Sequence, residues 1–355
     1  MTSPRIGVCL AGGGITGAMY EVGVLAALEA YFEDFVPDVV VGAASGACVA
    51  TAIAGGVPAE RLYRALLDPS DDFFPLERQH LLRVDLRELR RVARSAFGAF
   101  RRSAGAMTSR PLAVDLWAEV DRFFDSLPAG VLTTEAFEQF FFDVLTRRGI
   151  PKTFADMPRR LLLVANDLDV GERVVFGVGA DLEHVPVAKA VSASLATPLL
   201  FAPVRIDGRD FVAGGVGEAG HVDVAVEQGC ELVLVVNAMV PLRLDPASAS
   251  VPTGHGQKTR VRDKGLLWVY NQAWRLVTAA RLEKGLASYA AEHPKVRLEL
   301  LEPDRDDATM FLHSPMNFAA RRALLEDGFA STTRRLRAEA SALRTHLVQA
   351  GLTPR

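Results

Sequence analysis

Apolar residues in the first sixty positions follow two different spacings. The run Ile6–Leu10 is almost wholly apolar and leads into glycines, which predicts a buried strand followed by a turn. Residues 18–32 carry apolar side chains at helical spacing, and residues 38–41 form a second short apolar run. A stretch of small residues, 45–55, predicts a helix that can lie close to a sheet. This order of strands, turns and helices predicts an α/β fold whose mostly parallel central sheet is covered by helices on both faces.

Residues 60–150 have a different character, because they are rich in arginine, patterned as helices and interrupted by prolines. They predict a helical cap inserted into a domain that spans residues 5–240. Within the cap, the basic amphipathic segment 83–102 has two interpretations. It is either a surface helix with a solvated arginine face or a peripheral contact with an anionic lipid surface.

The second half of the chain returns to the strand pattern and then becomes helical. Three further buried strands are predicted at 160–165, 173–176 and 232–237. Residues 241–265 are rich in Pro, Ser, Ala, Thr and Gly and predict a loop. Residues 266–355 predict a helical C-terminal extension, in which 321–347 has the composition of an exposed helix that could pair with a second copy in a homodimer.

Composition narrows the class of protein. Of the 355 residues, 49% are apolar and 23% are charged, as in ordinary globular proteins, and the net charge of −3 gives no reason to expect a nucleic-acid partner. The three cysteines have no C-x-x-C spacing, which predicts reduced thiols rather than disulfides or a zinc site. Because no apolar run approaches 18 residues and a strand begins at residue 6, we expect neither a transmembrane helix nor a signal peptide. A cytoplasmic protein, soluble or peripheral at a membrane, is the expectation.

Two glycine-framed turns carry alanine where reactive side chains are expected. Gly42, Ser45 and Gly46 belong to a G-x-S-x-G nucleophile elbow between a strand and a helix, but Ala44 occupies its central position. Downstream, Ala213 precedes Gly214 and Gly215 at the end of a predicted strand, where an acid would form Asp-Gly-Gly. Near the N-terminus, Gly12, Gly13 and Gly14 form a turn whose backbone N–H groups suit an oxyanion hole.

A base for such a nucleophile is not evident among the histidines. A Ser–His–Asp enzyme needs a histidine on a late loop. The histidines after the elbow have no triad setting, and we expect them to be surface or capping residues, although His221 follows the 213–215 turn closely.

These motifs together resemble the patatin-like phospholipases, which use a Ser–Asp dyad. The family's ordered motifs, G-G-G-x-[K/R]-G, G-x-S-x-G and D-G-[G/A], are similar to the segments at 12–17, 42–46 and 213–215. Residues 165–168 are similar to its A-T-D-L stretch, and 193–203 to the segment that precedes its acid. The resemblance covers residues 5–240 and implies an acyl hydrolase acting on glycerolipid esters, phospholipids in particular, with no metal or organic cofactor.

This chain also departs from the family's motifs at positions that matter for catalysis. The resemblance implies that position 44 holds the nucleophile and position 213 the base, and alanine can serve as neither. Thr16 replaces the basic residue of the first motif. Ser45 lies one residue beyond the apex, so we expect it to contribute its backbone N–H rather than its hydroxyl. We therefore expect this chain to be inactive.

Two explanations of the alanines stay open. Because both glycine frames are intact, the sequence favours deliberate truncation of an active enzyme's reactive side chains. The alternative is a natural pseudoenzyme that binds lipid or a protein partner. A dinucleotide-binding protein is disfavoured, since the second strand ends in Gly-Ala-Ala rather than in the acidic residue that would hold a ribose.

Overall fold

The computed structural model describes most of the chain outside the cap. The described residues are 4–68, 70–81, 83–84, 127–179, 181–217, 220–243, 251–252, 258–304 and 316–355, with the single positions 90, 94, 121, 125, 310 and 313. The strands are β1 (Ile6–Leu10), β2 (Val39–Ala43), β3 (Arg83–Val84), β4 (Gly130–Thr133), β5 (Arg160–Asp167), β6 (Glu172–Phe176), β7 (Leu199–Phe201), β8 (Val204–Ile206), β9 (Arg209–Ala213), β10 (Leu232–Val236), β11 (Val251–Pro252), β12 (Lys258–Thr259) and β13 (Arg297–Leu301). The helices are α1 (Gly14–Tyr31), α2 (Gly46–Ala54), α3 (Ala59–Leu67), α4 (Arg78–Leu81), α5 (Glu135–Arg148), α6 (Val187–Leu195), α7 (Val222–Glu227), α8 (Leu266–Glu292), α9 (Arg321–Arg337) and α10 (Ala342–Gln349).

The central sheet is mostly parallel, as the sequence predicts. Its strand order is β13-β10-β1-β2-β5-β9-β8, and the first five of these strands run parallel to one another. The strands β9 and β8 are antiparallel and joined by a hairpin, while β6 also pairs with β5 in the antiparallel sense. The hairpin turns at Asp207 and Gly208, which both have positive φ as a tight two-residue turn requires.

The sheet separates two apolar cores. Residues such as Val8 and Val40 face a core shared with α1, α2 and α9, whereas their neighbours Cys9 and Val41 face a smaller core beneath α7. Because both faces are covered, the central strands β1, β2 and β10 are buried along their whole length. This arrangement confirms the predicted three-layer fold.

The cap combines helices with a small sheet. Its longest described helix, α5, buries Phe137, Phe140 and Phe141. A three-stranded sheet, β3-β4-β7, ties the cap to the segment that leads into β8 and β9. Apart from Arg83 and Val84 in β3 and the single positions 90 and 94, the basic segment 83–102 lies outside the described residues, so its contact with lipid stays a prediction.

The C-terminal part is more closely integrated than a helical extension would be. Within 266–355, β13 pairs with β10 and extends the central sheet, which the sequence analysis did not predict. The segment 321–347 is also not a wholly exposed helix, since Leu324, Leu325 and Leu336 of α9 are buried and α9 packs against α1. One face of α9 is therefore covered within the same chain, and the pairing of these helices with a second copy stays a prediction.

Candidate active site

The strands β2 and β9 approach each other end to end along one edge of β5. In β2, Ala43 pairs with Val164, and in β9, Ala213 pairs with Ala165, the next residue of β5. The opposite edge of this part of β5 is occupied by β6, so β2 and β9 must share the remaining edge. Because the two strands run in opposite directions, their carboxyl ends meet there. Positions 44 and 213, 169 residues apart in the chain, are thereby brought together and line one cavity.

Ala44 occupies a strained turn between β2 and α2. Its φ is +50°, a backbone conformation that residues with a side chain rarely adopt. Glycine is required on both sides, since a Cβ at Gly42 would lie 2.7 Å from the Ala47 Cα and one at Gly46 would collide with the Leu10 carbonyl. The Ser194 hydroxyl accepts a hydrogen bond from the Ala44 N–H (2.9 Å) and donates one to the Val164 carbonyl (2.6 Å). Ser194 thus ties the turn to β5.

The glycine turn lies directly against this elbow. Gly12, Gly13 and Gly14 all have positive φ, and a Cβ on Gly12 would lie 3.0 Å from the Ala44 Cβ. Within the part of the chain that the structure describes, the N–H groups of Gly13 and Gly14 have no hydrogen-bond acceptor, nor does that of Ser45. These N–H groups can therefore donate hydrogen bonds to an anion bound near the start of α1.

Gly12 differs from its two neighbours because its N–H is already engaged. It donates to Glu21 Oε1 at 2.6 Å, so this donor is not available to an oxyanion. Glu21 lies on α1 and is fully buried, and its Oε2 has no partner among the described residues. Burial raises the pKa of Glu21 to about 8, against the lowering effect of the Gly12 N–H. A neutral carboxylic acid therefore supports the glycine turn, a role that sequence analysis did not reveal.

The turn after β9 is held by a second polar side chain. Asn166 Nδ2 donates to the Ala213 carbonyl (2.7 Å) and to the Gly214 carbonyl (3.1 Å). A Cβ on Gly214 would collide with the Val164 carbonyl, whereas Gly215 has open space around it and borders the cavity. Asn166 and the tight contact at Gly214 fix the backbone direction at Ala213.

Comparison of the sequence with known families agrees with this geometry. The family described as patatin-like phospholipase matches residues 8–226, which include both turns and the elbow. The chain belongs to the patatin-like phospholipase family. In this family member, the matched region runs from β1 to α7, and β10 and β13 complete the sheet beyond it.

Two bacterial proteins are among the solved structures to which the patatin-like chain is similar. VipD from Legionella pneumophila has 14% identity and a TM-score of 0.37, with 94% of this chain and 66% of that chain covered. The type III effector protein ExoU, which is from Pseudomonas aeruginosa, has 15% identity and a TM-score of 0.40, with 99% and 54% covered. The chain thus spans just under two thirds of VipD and about half of ExoU.

An apolar cavity of about 410 Å³ opens beside the alanine pair. Its wall near Ala44 and Ala213 is formed by backbone of the glycine turns, and the rest is almost entirely apolar. Side chains from the core helices, the cap and α8 contribute, among them Met19, Val49, Phe74, Phe137, Leu267 and Trp274. A cavity with this lining can hold the acyl chain of a lipid while the donors at its wall face an ester group.

The structure provides no substitute for the missing side chains among the residues that it describes. His221 lines the cavity, but both ring nitrogens are buried without a hydrogen-bond partner in the described chain, and burial lowers its pKa to about 4. The Ser45 hydroxyl is likewise buried and unpartnered there. Asp223 is largely buried and forms an ion pair with Arg173.

Proposed function

We propose that this chain is the framework of a patatin-type acyl hydrolase in which alanine occupies both positions of the Ser–Asp dyad. The observation that carries the proposal is the meeting of positions 44 and 213 at one edge of β5, beside free backbone donors and an apolar cavity. The substrate class is an acyl ester of a glycerolipid, and a phospholipid in particular. The buried, unbridged Cys9 and Cys230 support a reducing, cytoplasmic setting.

In the form with both side chains restored, serine at 44 attacks the ester carbonyl while aspartate at 213 accepts its proton. The N–H groups of Gly13, Gly14 and Ser45 stabilise the negative oxygen that develops. When the tetrahedral intermediate collapses, the leaving alcohol takes the proton from position 213 and the acyl group stays on position 44. Water, deprotonated by the same aspartate, then attacks the acyl ester. When this second intermediate collapses, the serine oxygen leaves and takes the proton back from position 213, and the fatty acid is released.

The chain with alanine at both positions can bind an ester but cannot attack it. Removing the nucleophile of a serine enzyme costs on the order of a millionfold in rate, and the losses within one catalytic unit do not add. The retention of Ser194 and Asn166, which hold the backbone of the two turns, supports the interpretation that an active enzyme has had its reactive groups removed.

Hydrolysis should return only when both side chains return. The experiment compares the chain with Ala44→Ser, Ala213→Asp and the double variant, first on a short-chain nitrophenyl ester and then on phospholipid vesicles. We expect the double variant alone to be active, and the single variants are its matched controls because each restores half of the dyad.

Two outcomes would contradict the proposal. Equal hydrolysis by the parent chain and the double variant would mean that the reaction does not use these positions. A folded but inactive double variant would favour the second candidate, a pseudoenzyme that retains lipid in the apolar cavity. Extraction of the purified chain and mass analysis of its lipids would then identify the bound species.

A further inference from the structure

The outer side of α8 is apolar along its first four turns. At helical spacing, Leu266, Val269, Ala273, Leu276, Val277 and Ala280 fall on one side, which we call the outer stripe. Its four large side chains, those of leucine and valine, are between 44% and 77% exposed. On the opposite side, Arg275, Thr278 and Leu282 are buried against the protein. A helix that solvent alone covered would carry polar residues along its outer side.

Two arginines fix the rotation of α8 about its axis. The buried Arg275 guanidinium donates to the carbonyls of Ala238 (3.1 Å) and Val240 (2.9 Å), just after β10. One turn and a half later, Arg281 donates to the carbonyls of Val216 (2.7 Å) and Gly217 (2.9 Å). Turning the outer stripe inward would break these bonds and leave a buried guanidinium without acceptors, which is costly. The exposure of the stripe is therefore built into the fold.

The outer stripe is continuous with the apolar cavity. Leu267, Tyr270 and Trp274 lie on the flank of α8 between the stripe and its buried side, and all three line the cavity. A surface that contacts the stripe therefore also borders the cavity beside Ala44. Since the cavity is suited to an acyl chain, a lipid surface on the stripe would place its molecules next to their binding site.

The positive charge around the first turns of α8 favours contact with an anionic lipid surface. No aspartate or glutamate occurs from residue 264 to residue 282. Arg260, Arg262 and Lys264 precede the helix, with Asp263 as the acid between them, and the Lys264 ammonium lies 3.5 Å from the centre of the Trp268 ring. Aliphatic side chains beside tryptophan, tyrosine and basic residues are typical of helices that lie in the headgroup region of a bilayer.

We propose that α8 docks on a membrane through the outer stripe and holds the mouth of the cavity at the lipid interface. The choice of lipid as the occupant rests on the proposed function. The helix lies along the surface rather than across it, and no helix in the described part of the chain is long and apolar enough to span a membrane.

Vesicle binding tests this surface directly on the full chain with alanine at 44 and 213. The stripe variant carries Leu266→Gln, Val269→Gln, Leu276→Gln and Val277→Gln, none of which lines the cavity. The matched control carries Val36→Gln, Leu168→Gln, Val170→Gln and Val178→Gln, four side chains that are 45% to 58% exposed and lie outside α8. Vesicles of phosphatidylcholine with phosphatidylglycerol are sedimented with each protein.

We expect the stripe variant to lose at least tenfold in vesicle affinity and the control to bind as the parent does. In a Trp117→Phe background, brominated phospholipids should quench the fluorescence of Trp268 and Trp274 in the parent but not in the stripe variant. Circular dichroism and thermal unfolding confirm that each variant is folded. Because binding needs no hydrolysis, the result is independent of whether the restored dyad is active.

Equal vesicle binding by the stripe variant and the parent would overturn the proposal. Light scattering identifies the competing occupant, a second copy of the chain. If the parent is a dimer that the stripe variant converts to a monomer while vesicle binding is unchanged, the stripe is a protein interface. Absence of vesicle binding by the folded parent would overturn the proposal as well.

Discussion

At the scale of single residues, a neutral acid beneath the glycine turn has a measurable effect on stability. Burial raises the pKa of Glu21 from its ordinary value of 4.5 to about 8. Between these values the unfolded chain releases a proton that the folded chain retains. The stabilising contribution of the neutral acid is therefore complete below pH 4.5 and decreases as the pH rises toward 8.

Substituting Glu21→Gln should remove this dependence, because glutamine keeps an acceptor for the Gly12 N–H and cannot ionise. We expect the parent's free energy of unfolding to fall between pH 7 and pH 8 by about 1 kcal/mol more than that of the variant. Urea unfolding across this range provides the measurement. His221, whose pKa is about 4 rather than 6.5, destabilises the fold only as the pH drops below 6.5 and does not interfere. Parallel pH profiles would refute the assignment.

The residues recognised from sequence and those missed differ in the range of their contacts. Gly12, Gly42 and Gly214 belong to short motifs in which local backbone geometry determines the residue type. Ser194 contacts Ala44 across 150 positions, and Glu21 reaches the Gly12 N–H only because the glycine turn folds back against α1. Such contacts are determined by the packing of whole elements, which spacing within one segment does not encode.

At the scale of elements, the backbones of α1 and α9 approach each other closely. A Cβ on Gly328 would collide with the Tyr20 carbonyl and lie 3.2 Å from the Val24 nitrogen, and a Cβ on Gly23 would collide with the Leu325 carbonyl. These glycines allow the two backbones to meet, which is why α9 covers α1 so completely.

Gly328→Ala should therefore destabilise the fold by about 2 kcal/mol, since the added methyl group forces the helices apart. Gly285 in α8 is the matched control, because no atom lies within 4 Å of the Cβ that it would gain. Gly285→Ala should stabilise the protein by up to about 1 kcal/mol through helix propensity alone. Denaturant unfolding of both variants measures the difference. Equal effects would argue against the close packing of α1 and α9.

The elements near the N-terminus were predictable because each carries a strong local pattern, whereas β13 was not. Its five residues include Arg297 and Glu299, and the segment lies between helices. Its strand character comes from pairing with β10, and the buried Glu299 is satisfied by Arg335 (2.7 Å) and His346 (2.7 Å). From the sequence alone, a charged residue such as Glu299 indicates an exposed position, because the partners that allow its burial lie far along the chain.

At the scale of the whole molecule, elements from both sides of the boundary between 240 and 266 pack together. A chain ending at residue 240 would lack β13, which pairs with β10, and α9, which covers α1. We expect that shortened chain to bind a dye for apolar surfaces and to lose the cooperative unfolding of the full chain. Thermal unfolding of the two chains is the comparison. A sharp transition in the shortened chain would mean that residues 1–240 form a self-sufficient domain.

Pairing with the shared edge of β5 sets the spacing between the two turns of the site. The distance between positions 44 and 213 depends on where two strands stop along one backbone, not on how much chain lies between them. The length of the cap, which lies between β2 and β5 in the chain, therefore does not set this distance. The spacing holds with alanine at both positions, so the proposed dyad would need substitutions at only two codons.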